Sequence, residues 1–241
     1  MTFCSVSDKG RVRAINEDYY FLPLHGENFF AVADGMGGHE AGEVASRLAV
    51  EALAETLRHP KEMKGEELMR FAFLKANECV YEHSQRDEGK KGMGTTLTAV
   101  LFDGGKAILG HVGDSRAYRM RNGVLDQIST DHSFVEELVA SGIITREQAR
   151  VHPRRNLITR CIGIGESVEA DIFVSDVCAG DIWLLCSDGL SGKVTDDEIE
   201  KYLLRADLPL SDRLLEMKDL AMTRGGDDNI TVLAAGGDDR G

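Results

Sequence analysis

Phe29-Phe30-Ala31-Val32-Ala33-Asp34-Gly35-Met36-Gly37-Gly38 is an unbroken apolar run that ends on a carboxylate and a glycine-rich turn. A strand with one wet face alternates polar and apolar side chains, so a continuous run of this length reads as a strand buried on both faces. The pattern recurs. Ala107–Val112 leads through Gly113 into Asp114-Ser115-Arg116, and Ile182–Cys186 leads through Ser187 into Asp188-Gly189-Leu190. Asp227-Asp228-Asn229 opens the apolar run Ile230–Ala235. Four apolar strands thus each carry a carboxylate at one end.

Around these lie further strand-like runs, Thr95–Phe102, Ala117–Arg121 and Ile172–Val174. Asn122-Gly123, between Ala117–Arg121 and Val124–Ile128, is a two-residue hairpin signal. Several strands follow one another directly, which predicts abundant antiparallel sheet. Helical periodicity runs from Glu43 to His59, with Val44, Leu48 and Ala52 beside Ala45, Ala49, Leu53 and Leu57, and Pro60 stops it. A second helix is predicted from Glu66 to about His83, burying Leu68, Phe71, Ala72, the stem of Lys75 and Ala76. Thr145 with Gln148, and Thr195 with Glu198, have the spacing of a capping box. Ser211 is the expected cap of a last helix through Met222. The order of elements predicts an α+β layered fold.

With 241 residues, only four prolines and no low-complexity stretch, the chain reads as one domain, 1–241. No apolar run approaches the roughly 20 residues that cross a bilayer. The N-terminus lacks the basic start and apolar stretch of a signal peptide, so a cytoplasmic location away from membranes is expected. Five cysteines, Cys4, Cys79, Cys161, Cys178 and Cys186, form neither a paired framework nor a zinc-ligand spacing, and most are expected to be buried small side chains. The net charge of −13 repels a phosphate backbone and argues against nucleic-acid binding.

An ionised carboxylate at the rim of a core is costly unless a cation or several hydrogen bonds compensate it. If the four strand ends converge, their mutual repulsion adds to the cost and bound divalent cations relieve it. Oxygen-only ligands suit magnesium, manganese or calcium rather than zinc. The plainer alternative is four separate Asp-containing turns. Gly10-Arg11-Val12-Arg13-Ala14-Ile15-Asn16-Glu17-Asp18 adds arginines whose planar fork suits phosphate, or which pair with their acidic neighbours.

Taken together and in order, these segments resemble the metal-dependent protein phosphatases of type 2C in their compact bacterial form. The pieces are Gly-Arg-Val-Arg-x-x-Asn-Glu-Asp at 10–18, Ala-Asp-Gly-Met-Gly-Gly-His at 33–39, Gly-Glu-x-Ala-Ser at 42–46, Gly-Thr-Thr at 94–96, Gly-Asp-Ser-Arg at 113–116, Ser-Asp-Gly-Leu at 187–190 and Asp-Asp-Asn-Ile-Thr-Val at 227–232. The resemblance spans essentially the whole chain. It implies a four-layer α-β-β-α sandwich, two antiparallel sheets flanked by helices, with a flap at about 129–165. It also implies hydrolysis of phosphoserine and phosphothreonine by a water bridging two divalent cations, Mn2+ or Mg2+.

The roles implied are specific. Asp34 would bridge two cations, the Gly35 carbonyl would ligate one, and Asp188 and Asp228 would complete the other. Glu17 and Asp18 would hold metal-bound waters, and Asp114 with Asp188 would bind a third, weaker ion. Arg13 would grip the substrate phosphate. Met36 stands where many eukaryotic members carry a histidine proposed as general acid, which leaves His39 as the nearest candidate, either for that role or for a supporting one.

His132 and His152, in the flap region, read as exposed loop residues, and Met63, Met69, Met217 and Met222 as packing residues. The implied partners are phosphorylated proteins and a cognate serine/threonine kinase system, with the chain acting as a monomer. The alternatives are a catalytically silent phosphoprotein-binding domain of the same fold and a small-molecule phosphomonoesterase.

Overall fold

A computed structural model describes residues 1–37, 41–60, 62–86 and 88–236 of the chain. Its strands and helices follow in the order β1 (Thr2–Asp8), β2 (Asp18–Phe21), β3 (Phe29–Met36), α1 (Ala41–Arg58), α2 (Gly65–Arg86), β4 (Gly94–Thr95), β5 (Leu97–Asp103), β6 (Lys106–Val112), β7 (Arg116–Arg121) and β8 (Val124–Gln127). There follow α3 (Phe134–Ala140), α4 (Arg146–Arg150), β9 (Asp171–Asp176), β10 (Ile182–Cys186), α5 (Asp188–Ser191), α6 (Asp196–Leu203), α7 (Leu210–Thr223) and β11 (Ile230–Gly236).

Two antiparallel sheets form, one ordered β1-β11-β10-β7-β8 and the other β2-β3-β5-β6-β9, with β4 also paired to β3. The helices α1 and α2 cover the second sheet, and α6 and α7 cover the first. The strand period of two explains why three separate cores result. In β3, Phe29, Ala31 and Ala33 face the helices while Phe30 and Val32 face the opposite sheet. In β10, Leu184 and Cys186 face the helices of their own layer while Trp183 and Leu185 point between the sheets. Both faces are therefore dry, and the continuous apolar runs are accounted for. The four-layer α-β-β-α sandwich is the observed architecture.

The structure departs from the sequence expectations at several points. The run 95–102 divides into β4 and β5, because Thr96 turns its hydroxyl to the Asp34 backbone amide, 2.8 Å away. In α2 the core face is Leu68, Met69, Ala72, Phe73, Ala76 and Val80. Phe71 is only half-buried and lies under the Lys75 ammonium, 5.4 Å from the ring centre. Ser211 does not cap α7. Pro209 holds the cap position, its ring-fixed φ of −55° leading into the helix, and Ser211 stands inside the first turn. Both predicted capping boxes form, at Thr145–Gln148 and Thr195–Glu198. Of the five cysteines only Cys186 is buried and Cys178 is exposed. The four methionines pack as expected, Met69 and Met217 within cores and Met63 and Met222 against them.

Between β8 and β9 the chain leaves the sheets for a long excursion containing α3 and α4. Its base is fastened. Ser133 pairs with Ile158 and Thr95 with Ile162 as isolated bridges, and the Asn77 side chain accepts from the Gly163 amide and donates to the Gly165 carbonyl. His132 is buried rather than exposed, because this base folds over it.

Candidate active site

The antiparallel register of β2 against β3 sets Asp18 directly opposite Asp34. Asp188 starts α5 immediately after β10, and Asp228 lies just before β11, which pairs with β10. Asp114 sits in the turn from β6 to β7. Strand ends from both sheets thus bring these carboxylates to one end of the sandwich. Asp34 and Asp188 lie within electrostatic reach of each other.

Backbone packing fixes the approach. A Cβ on Gly35 would lie 2.1 Å from the Gly42 carbonyl oxygen, so only glycine lets β3 meet the start of α1. The Gly35 amide donates to the Glu17 carbonyl at 3.1 Å, and the Ser46 hydroxyl donates to the same oxygen at 2.6 Å. Gly113 takes φ +114°, and a Cβ there would meet Thr96 at 2.5 Å, so Asp114 hangs on a turn reserved for glycine. Asn229 ties the N-terminal loop to β11. Its amide oxygen accepts from the Glu17 amide at 2.8 Å, and its nitrogen donates to the carbonyls of Lys9 and Ile15 at 2.9 Å each.

The electrostatics are strained. Burial first, then Asp18, Asp188, Asp114 and Asp228, hold Asp34 well above the ordinary carboxylate range. Burial and Asp188 do the same to Asp114. Asp18 is pushed up to about 7, chiefly by burial and against hydrogen bonds from Thr231 and Ser187. Asp188 is pushed up to about 6 by burial and by Asp228. Glu17 is raised as well, again by burial first. Two carboxylate oxygens, Glu17 Oε1 and Asp18 Oδ1, are buried with no hydrogen-bond partner. The other Asp18 oxygen accepts from the Ser187 hydroxyl at 2.7 Å.

Buried acceptors without donors, among carboxylates that repel one another, are the surroundings a hard divalent cation relieves. Among the described residues no three such side chains form a ready-made ligand shell. That spacing still suits magnesium or manganese, since magnesium usually takes one or two carboxylates and keeps several waters. The donor set fits the group.

Arg13, the residue expected to grip phosphate, reaches the carboxylates, and its Nη2 donates to Asp228 Oδ2 at 2.7 Å. One of five guanidinium donors is used in that bond, and the side chain is 46% exposed, so the fork still faces solvent. The adjacent Asp227 turns outward to Lys193, which separates the roles of the two aspartates. His39 lies outside the described residues.

Several supporting residues were not assigned from sequence. Ser187, Thr96 and Asn229 sit inside the quoted motifs, and their short polar side chains beside apolar strands are the signal that could have found them. Arg116 forms a two-pronged pair with Asp131, at 2.8–3.0 Å. His132 Nδ1 accepts from the Gly113 amide at 3.0 Å, which leaves Nε2–H to donate to Asp171 at 3.1 Å. Burial holds this imidazole below its usual pKa and so favours the neutral ring. No sequence pattern announces such a pairing across 19 residues.

Comparison with known proteins identifies the family. Residues 10–219 match the family described as Protein phosphatase 2C. The chain is 43% identical over 238 residues to the serine/threonine protein phosphatase PstP of Mycobacterium tuberculosis, covering 98% of this chain but 45% of PstP, so it spans about half the length of that relative. A solved catalytic domain of a phosphatase of the same name, in complex with two manganese ions, superposes with a TM-score of 0.84 at 39% identity, covering 97% of this chain and 96% of that one. The serine/threonine phosphatase stp of Listeria monocytogenes is 38% identical over 233 residues, 94% of this chain and 92% of its own length. Stp1 from Staphylococcus aureus gives a TM-score of 0.91 at 34% identity, covering 98% of this chain and 94% of that structure. The chain belongs to the protein phosphatase 2C family.

Proposed function

We propose that the chain is a metal-dependent phosphoprotein phosphatase that hydrolyses phosphoserine and phosphothreonine by direct attack of water, without a phosphoenzyme. The observation that carries this reading is the meeting of Asp34, Asp188, Asp228 and Asp18 at one end of the sandwich, with buried carboxylate oxygens that have no donor. Asp34, the Gly35 carbonyl, Asp188 and Asp228 would hold two ions, Mn2+ or Mg2+. Asp114 with Asp188 would hold a third, and Glu17 and Asp18 would orient water. When bound, two divalent cations supply Lewis acidity, acidifying water near neutral pH and offsetting charge on the phosphoryl group.

The protein's own contribution is position. Arg13, held by Asp228 on one side, offers its remaining donors to phosphoryl oxygens, a two-pronged contact that aligns the group and offsets its charge. Residues 1–241 act as one catalytic domain, with 129–165 as a flap beside the site. Phosphorylated proteins are the substrates, and a serine/threonine kinase is the counterpart that makes them.

The test is hydrolysis of 4-nitrophenyl phosphate and of a phosphothreonine peptide, with saturating manganese or magnesium. Turnover of both, lost in Asp188→Ala, is expected. Efficient turnover of small phosphate esters but not peptides would make the chain a phosphomonoesterase. Peptide binding without turnover in either metal would make it a silent binding domain.

A further inference from the structure

A cavity of about 170 Å³ opens beside the carboxylate cluster. Asp114 and Asp188 stand in its wall, together with Arg150 and Arg155 from the 129–165 excursion. The charges along this wall are not equally compensated. Arg116 is bound to Asp131, and Arg146 pairs with Glu136 at 3.2 Å, so those two guanidinium groups are already neutralised. The side chains of Arg150 and Arg155 are exposed and take part in no ion pair or side-chain hydrogen bond among the described residues. In a chain with a net charge of −13, acidic partners are plentiful, and two arginines lining one cavity without one are conspicuous.

The wall of the cavity therefore offers two kinds of charge. On the phosphatase reading, Asp114 and Asp188 take cations and, with them, the phosphoryl group. Arg150 and Arg155 offer positive charge to a second anionic group of the same ligand. A phosphorylated side chain and a neighbouring residue of the same peptide meet that description. A small phosphate ester has nothing to place there. We propose that Arg150 and Arg155 form a subsite for an aspartate or glutamate flanking the phosphorylated residue of the protein substrate, so that acidic phosphosites are preferred. The inference rests on the phosphatase reading and goes beyond it by naming the substrate class. Both arginines lie on an excursion outside the sheets, at exposed positions whose replacement removes no core packing.

The experiment uses paired phosphothreonine peptides, identical except that glutamates on either side of the phosphothreonine are replaced by glutamines. The readout is the ratio of kcat/KM for the acidic peptide to that for the neutral one, in the wild type and in Arg150→Ala/Arg155→Ala. Because it is a ratio within one protein, any general loss of activity cancels. Two exposed charge pairs predict a wild-type ratio of about fivefold. The double variant should bring the ratio close to one, and added salt should lower the wild-type ratio. Wild-type 4-nitrophenyl phosphate turnover separates the two levels of the argument. Turnover of that ester with a ratio near one in the wild type, or an unchanged ratio in the double variant, overturns the subsite alone. No turnover of either ester or peptide overturns the phosphatase reading and the subsite with it.

Discussion

Asp34 and Asp188 sit close together where burial and their neighbours both oppose ionisation. Replacing Asp34 with asparagine keeps the size and removes the charge. Turnover should fall by at least about 10²-fold, since an oxygen proposed to hold the ion is lost. The metal-free protein should meanwhile become more stable at pH 7.5, and its Tm should rise, because a buried group held above the ordinary carboxylate range no longer has to ionise. Thermal unfolding in a chelator checks this; a lower Tm would mean that Asp34 is a structural residue. At Arg13 the expectation is the reverse. Its pair with Asp228 is exposed, so Arg13→Ala should change stability by less than about 1 kcal/mol, while KM for the phosphopeptide rises about tenfold. Arg13→Lys keeps the charge but not the fork and should recover only part of the loss. Steady-state kinetics with unchanged kcat/KM would remove Arg13 from the site.

At the scale of elements, Asn229 joins the loop carrying Glu17 to the first residues of β11 by three hydrogen bonds. It is 3% exposed, so Asn229→Ala would leave buried partners unsatisfied and should cost about 2–4 kcal/mol. Because Glu17 and Asp18 hang from the same anchor, manganese affinity measured by calorimetry should fall too. Retained affinity at reduced stability would confine Asn229 to folding. Elements of this kind also mark how much was legible in the sequence. Long apolar strands ending on Asp34, Asp114 and Asp188 were visible because composition and turn residues agree. β1 and β2 were missed because β1 is an edge strand half open to water and β2 has only four residues. Ser211 was mistaken for a cap because its side chain suits the position, whereas Pro209 takes the position through its backbone angle. The His132 arrangement depends on the excursion folding back over β6, a contact set by tertiary structure alone.

The layering of the whole molecule could not be read from periodicity, because β3, β10 and β11 are dry on both faces and carry no alternation to show which side meets helices. The resemblance supplied it. The carboxylate cluster was one of two readings that the strand-end aspartates left open, the other being separate turns, and its consequence is a pH dependence of the entire fold. Asp18 and Asp188 have folded-state pKa values raised to about 7 and about 6, against about 3.9 in an unfolded chain. Below pH 4 both states are protonated and the cluster costs nothing. Between about pH 4 and 7 the unfolded chain releases these protons first, so the folded state binds more protons and metal-free stability falls as pH rises. Asp171 and Asp181 are shifted the other way by their cationic partners and work against this trend, but they do so with or without metal. The difference between Tm with and without manganese therefore isolates the cluster. Cations favour the ionised form, so that difference should be small at pH 5, grow through pH 6–7 and level off above it. Asp188→Asn should flatten the curve by removing one of the protons that the cation must displace. A manganese shift of equal size at pH 5 and pH 7.5 would mean that the ion binds somewhere other than among these carboxylates.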